Sequence, residues 1–93
     1  MINVMGHDLW RAGKKVGYVS GDYIYSHEGK KLGYASGNHI FDVTGRKLGY
    51  LEGDFIYDIT GTQKMRIEDN RQHVEGGELS DLMRAAVRFL LGD

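Results

Sequence analysis

Along most of this chain apolar and polar residues alternate with the period of a β-strand. In Asp54-Phe-Ile-Tyr-Asp-Ile59, Phe55 and Tyr57 fall on one face and Ile56 on the other. In Lys47-Leu-Gly-Tyr-Leu51 the same alternation puts Leu48 and Tyr50 together and leaves the opposite face bare at Gly49. Glycine interrupts the pattern every eight residues, at Gly13, Gly21, Gly29, Gly37, Gly45, Gly53 and Gly61. That spacing holds a strand of about five or six residues and a tight turn. After Gly76-Gly77 the period changes to that of a helix: Leu79, Leu82, Met83, Ala86, Val87, Leu90 and Leu91 line one face. Ser80 is placed to cap its start, Asp81 sits at its positive end, and Gly92 ends it. A helix of about a dozen residues is marginal alone. It must dock on its own sheet or on another chain.

The strand pattern also repeats letter by letter. Residues 15–62 read KVGYVSGDYIYSHEGK, KLGYASGNHIFDVTGR and KLGYLEGDFIYDITGT, with six of the sixteen positions identical in all three copies. A fixed period of this kind signals a repeat architecture. Two turn types alternate within it. Asp42-Val-Thr-Gly45, Asp58-Ile-Thr-Gly61 and the looser Ser26-His-Glu-Gly29 fit a type I turn closed by a left-handed glycine. Ser20-Gly21-Asp22, Ser36-Gly37-Asn38 and Glu52-Gly53-Asp54 suit a primed hairpin turn. Together these turns predict an antiparallel meander. The glycine inside each Lys-x-Gly-Tyr strand (Gly17, Gly33, Gly49) weakens that strand. Its return in every copy predicts a close approach there, by an aromatic ring of a neighbouring strand or by a neighbouring repeat.

The flanks carry degraded copies. Gly6-His-Asp-Leu-Trp10-Arg-Ala-Gly13 matches half a repeat, one residue shorter, with Trp10 where Tyr25, Phe41 and Tyr57 stand. Downstream, Gln63–Val74 keeps the spacing, with Asp69-Asn70 in place of the Gly-Asp turn. The two ends together supply a fourth unit, degenerate as terminal repeats usually are. The expected organisation is a β-hairpin repeat domain over residues 1–76 and a helix over residues 77–93. The Lys-Leu-Gly-Tyr and Gly-Asp-x-Ile-Tyr-Asp-x-x-Gly blocks resemble the 4-fold β-flower proteins, with a weaker likeness to WG-type repeats. The resemblance implies four β-hairpin units around a pseudo-fourfold axis and brings no catalytic residues with it. The fold class expected is therefore mainly β, plus one C-terminal amphipathic α-helix.

Composition narrows the chemistry. Fourteen glycines and no proline mean the turns rest on positive φ rather than on fixed rings. With no cysteine, disulfides and thiol chemistry are excluded. Twelve basic and thirteen acidic residues leave a net charge of −1, which argues against a nucleic-acid or membrane partner. No leader-like N-terminus and no spanning apolar run are read, so the expectation is a cytoplasmic protein.

The four histidines, His7, His27, His39 and His73, occupy four different repeat positions and no metal-ligand spacing, so no metal is expected. The recurring acids are what turns require. No phosphate-loop, dinucleotide or nucleophile-elbow pattern appears, and no cofactor or enzymatic activity is expected. The basic pairs Lys14-Lys15, Lys30-Lys31 and Arg46-Lys47 recur near Tyr18, Tyr34 and Tyr50. They are read as solubilising turn residues that blunt strand edges. The expected function is a non-enzymatic binding or scaffolding module acting through protein contacts, with homo-oligomerisation through the helix. Its candidate contact residues are Trp10, Tyr18, Tyr34 and Tyr50 on the strands and Leu82, Val87 and Leu90 on the helix. The alternatives are a small-ligand or glycan pocket on the pseudo-symmetry axis, lined by repeated Tyr and Asp, and a hydrolase site around His7, Asp8 and Trp10.

Overall fold

The computed structural model describes residues 1–92. Nine strands follow one another as an antiparallel meander: β1 (Ile2–Met5), β2 (Asp8–Arg11), β3 (Lys14–Ser20), β4 (Tyr23–Ser26), β5 (Lys31–Ser36), β6 (His39–Asp42), β7 (Lys47–Glu52), β8 (Phe55–Asp58) and β9 (Gln63–Arg66). A helical turn, α1 (Ile67–Asn70), leads to β10 (Val74–Glu75), which pairs in parallel with β1. The chain then forms helix α2 (Asp81–Leu91). All ten strands belong to one sheet, in the order β10-β1-β2-β3-β4-β5-β6-β7-β8-β9. Only residues 67–73 join one edge strand to the other. The sheet is therefore curled until its two edges are near neighbours.

Equivalent registers define four hairpins: Val4↔Leu9, Val19↔Ile24, Ala35↔Ile40 and Leu51↔Ile56. The fourth unit thus comes from the N-terminal flank alone, where β1 completes the Gly6–Gly13 segment, rather than half from each flank. At the other end β9 is a lone fifth half, and Asp69-Asn70 make no hairpin turn. Ile67-Glu-Asp-Asn70 holds no glycine, the residue that enters positive φ without steric cost and that stands in every other turn of this type. Its acids at a helix start favour the helical turn instead, which carries Asn70 inward to 2% exposure.

A β-bulge recurs in each repeat. Register passes from Ile24↔Gly33 to Tyr25↔Lys31, so Leu32 is extra, as are Val16, Leu48 and Lys64 at the corresponding places. The bulge corrects the simple alternation expected for Leu48. Val16, Leu32 and Leu48 pack against the core while Tyr50 stays on the other face. Bulges add bend and twist, and four in phase curl the sheet.

Helix α2 lies in the concavity and touches β4, β5, β6, β7 and β10. Ser80 Oγ accepts from the Met83 N–H at 3.1 Å to cap its start. Gly92, at φ 78°, closes its end by donating to the Arg88 carbonyl at 3.0 Å. Ile2, Leu9, Ile24, Ile40 and Val74 of the sheet are fully buried together with Val87 of the helix. Sheet and helix share one core.

The in-strand glycines receive the last turn of this helix, not a ring from a neighbouring strand. A Cβ on Gly33 would stand 2.8 Å from Leu90 Cδ1, and one on Gly49 would stand 2.6 Å from Phe89 Cζ. One on Gly17 would meet Leu91 Cδ1 at 3.6 Å. Three consecutive helix residues, about 100° apart around the axis, thus reach three different strands. Each site is closed from a second side by a carbonyl oxygen, of Tyr25, Phe41 or Tyr57. Arg11, which stands where the other copies have Ser26, Asp42 and Asp58, donates from Nη2 to the carbonyls of Leu91 at 2.9 Å and Gly92 at 3.1 Å. It caps the negative end of the helix. At the opposite end Arg84 Nη1 donates to the Val74 carbonyl at 2.7 Å and Nε to that of Leu79 at 3.1 Å, holding the Gly76-Gly77 connection to the sheet.

Two outcomes follow for stability. Gly33→Ala is expected to lower the unfolding free energy by about 2 kcal/mol or more, because the methyl overpacks a closed site; urea denaturation measures it. The β2–β3 turn is a two-residue loop with both Ala12 (φ 51°) and Gly13 (φ 80°) left-handed, and alanine tolerates that region poorly. Ala12→Asn is expected to raise stability by roughly 0.5–1 kcal/mol in the same assay.

Candidate functional site

The outer face of the sheet is aromatic because the position after each in-strand glycine and the position after each buried isoleucine both point outward. Across three hairpins these rings stack in pairs. Tyr18–Tyr25 and Tyr34–Phe41 have centroids 4.9 Å apart and Tyr50–Tyr57 5.2 Å, with interplanar angles of 8°, 15° and 14°. Side contacts join the second and third pairs to each other through His39, and to Tyr23: Tyr23–Tyr34 at 5.3 Å, His39–Phe41 at 6.3 Å and His39–Tyr50 at 6.1 Å. Tyr23, Tyr34, Phe41, His39, Tyr50 and Tyr57 therefore form one continuous ladder of half-buried rings. Lys31 Nζ lies 3.9 Å from the Tyr23 centroid and Lys15 Nζ 5.4 Å from that of Tyr18.

The repeat tyrosines also support the turns. The hydroxyls of Tyr18, Tyr34 and Tyr50 reach Gly29, Gly45 and Gly61, where an added Cβ would meet them at 3.7, 3.5 and 3.7 Å. One contact thus accounts for two of the invariant positions. Inside the longer turns the Gly45 N–H donates to the Asp42 carbonyl and the Gly61 N–H to that of Asp58, both at 3.0 Å. Asp42 Oδ1 accepts from the Thr44 hydroxyl at 2.6 Å and from the N–H groups of Thr44 and Arg46 at 2.9 and 3.0 Å. Asp58 repeats the arrangement with Thr60 and Thr62. The Thr44 hydroxyl above all, with the backbone donors and the Arg46 charge, holds Asp42 below its ordinary value of 3.8 despite desolvation. Thr60, the same backbone donors and Lys64 do so for Asp58.

The expected contact residues separate in space. Trp10, Tyr18, Tyr34 and Tyr50 lie on the outer face, half-buried. Leu82 and Leu90 are half-buried on the helix, Leu90 over Gly33. Val87 is fully buried against its own sheet and so is a core residue rather than a partner contact. The apolar helix face expected to meet another chain is covered by the curl of this one. The pseudo-symmetry axis is likewise filled by α2, and the repeat tyrosines turn away from it. An axial pocket lined by tyrosine and aspartate is therefore overturned as a ligand site. The Asp8 carboxylate pairs with Lys15 Nζ at 3.0 Å, while His7 is exposed at the β1–β2 turn. The ring N–H of Trp10 and Nδ1 of His39 are shielded from solvent without a hydrogen-bond partner in the protein.

A cavity of about 250 Å³ opens in the seam beside β9, lined by Ile56, Met65, Ala85 and Phe89 with Lys64, Asn70 and Arg88. That is below the 300–1,000 Å³ of typical small-molecule sites. Among the described residues no group of three or more His, Asp or Glu side chains is gathered where a metal ion is held.

Strand parity sorts the charges, a point that net charge had concealed. Even strands end, and odd strands begin, at the end of the sheet that carries the Asp-x-x-Gly turns. Arg11, Lys14, Lys15, Lys30, Lys31, Arg46, Lys47 and Lys64 collect there, against Glu28, Asp42 and Asp58. The Gly-Asp turns occupy the opposite end, where Asp22, Glu52, Asp54, Glu68 and Asp69 collect with Glu78 and Asp81 at the helix start, against Arg66 and Arg71. Numbering charges by strand end along the sixteen-residue period was the available signal.

A curled meander of four bulged hairpins wrapped on a C-terminal helix defines a β-hairpin repeat protein. The family model described as 4-fold beta flower protein matches residues 10–77, and the chain belongs to that family. No curated protein and no solved structure matches it.

The turn carboxylates set an acid limit. Asp42 and Asp58, and Asp81 through its paired hydrogen bonds from Arg71 at 2.9 and 2.8 Å, all have folded values below the unfolded 3.8. Their stabilisation is complete above that pH and is lost as pH falls through the folded values. The melting temperature is expected to be flat on the acid side down to about pH 4 and to fall below it. In Asp42→Asn/Asp58→Asn the fall should be shallower, as followed by circular dichroism.

Proposed function

We propose that the protein is a non-enzymatic binding module that works through protein contacts on the outer face of its sheet. The observation that carries this reading is the ladder Tyr23–Tyr34–Phe41–His39–Tyr50–Tyr57, continuous over three hairpins and half-buried. Aromatic side chains present large contact area at little entropic cost and are enriched where proteins meet. The invariant residues of the repeat are occupied by turns and by the helix, so partner choice falls to positions where the copies differ. The foremost is the outward position before the buried aliphatic residue, held by Asp8, Tyr23, His39 and Phe55 in successive hairpins.

That variation supplies a test that spares the fold. Tyr23→Asp/His39→Asp copies the first hairpin into the second and third and is expected to leave the melting temperature within a few degrees. Capture from a lysate of the native host is expected to yield a partner on the wild type and to fall at least tenfold on this variant. Equal capture by both proteins would remove the outer face from the reading. Light scattering after gel filtration tests self-association through the same face: a wild-type dimer should become monomeric in the variant.

A further inference from the structure

We propose that the end of the sheet carrying the Asp-x-x-Gly turns is a docking surface for anionic phospholipid bilayers. The repeat places Lys14-Lys15, Lys30-Lys31 and Arg46-Lys47 at the starts of three odd strands, and the meander brings those starts to one end. Five of the six side chains are exposed, Lys47 being half-buried. Three carboxylates share this end, Glu28, Asp42 and Asp58, and they keep their charge, but eight lysines and arginines outnumber them. The end is therefore strongly cationic in a chain whose net charge is only −1.

Charge alone suits any polyanion; the turn tips decide between them. Val43 and Ile59 are 52% and 54% exposed. Both follow the Asp that opens a longer turn, a position open to most residues, so the fold requires nothing aliphatic there. The two tips belong to adjacent hairpins, two strand spacings or about 10 Å apart. Aliphatic tips standing among lysines match an interface with charged headgroups outside and acyl chains beneath. They do nothing for a nucleic acid. The rings nearby are no substitute platform for bases, because Tyr18, Tyr34 and Tyr50 already stack face to face on their cross-strand partners. Among the described residues no helix is long and apolar enough to cross a membrane. The contact proposed is peripheral, made by the turn end alone, and leaves the outer aromatic face clear of the lipid.

Vesicle sedimentation at physiological ionic strength tests this, using phosphatidylcholine vesicles with and without phosphatidylglycerol. The wild type is expected to pellet with the mixed vesicles and stay in solution with phosphatidylcholine alone. Each charge removed in Lys30→Gln, Lys31→Gln and Arg46→Gln should weaken binding about fivefold. Val43→Ser/Ile59→Ser should weaken it about tenfold with all charges kept. These positions are exposed, and melting curves should confirm that every variant stays folded. No binding to the mixed vesicles overturns the proposal. So does a serine variant that binds as the wild type does, or a duplex DNA that binds as tightly as the lipid with the same tolerance of serine, either of which would mark a generic polyanion surface.

Discussion

The structure depends on three side chains that are missing. Gly33 and Gly49 leave the concave face of the sheet low enough for Leu90 and Phe89 to settle on it, and Leu91 rests beside Gly17, whose site the Tyr25 carbonyl closes. Without those hollows α2 would stand off the sheet, and Val87, Ala86 and Met83 would lose the enclosure that buries them. Filling one hollow is costly because a bulge carbonyl closes it from the other side. The bulge and the glycine thus form one device, in which the bulge bends the strand inward and the glycine accepts the helix. Curling the sheet and seating the helix are inseparable for that reason.

The same repetition organises the electrostatics. A sixteen-residue repeat laid into an antiparallel meander returns each lysine pair to the same end, so identity of sequence becomes polarity of shape. The helix is oriented to match. Its positive N-terminus lies among Glu78 and Asp81 at the acidic end, and its negative C-terminus is capped by Arg11 at the cationic end. The one hairpin that surrenders its turn acid for arginine is the one adjacent to that terminus. Departure from the repeat here has a structural cause.

Strands, turns and helix were legible in the sequence because each rests on local chemistry: alternation, glycine at positive φ, and Ser80 before an apolar stripe. The family and the hairpin count were legible from Lys-Leu-Gly-Tyr and its copies. The occupant of the glycine hollows was not, since Phe89, Leu90 and Leu91 lie more than thirty residues from Gly49 and share no pattern with it. Nor was the side on which Leu48 falls, because a bulge changes the face of a residue without changing its letter. Val87 looked available to a partner for a related reason. Periodicity identifies an apolar face but not what covers it. For the candidate site, composition misled in one respect: a sum of charges carries no positions, whereas strand parity does.

The order of the elements bears on how the protein is made. The hollows are occupied only by the last turn of α2, and Ile2 meets Val74 across seventy-two positions of chain. During synthesis every hairpin emerges before the helix that covers its apolar face. The ribosome therefore releases a row of locally formed hairpins whose inner face is wet, and collapse waits for residues 81–91. A truncation that removes this segment should leave strands that find each other between molecules. The inner face of the sheet accordingly stays uncovered until the longest element of the fold has been made.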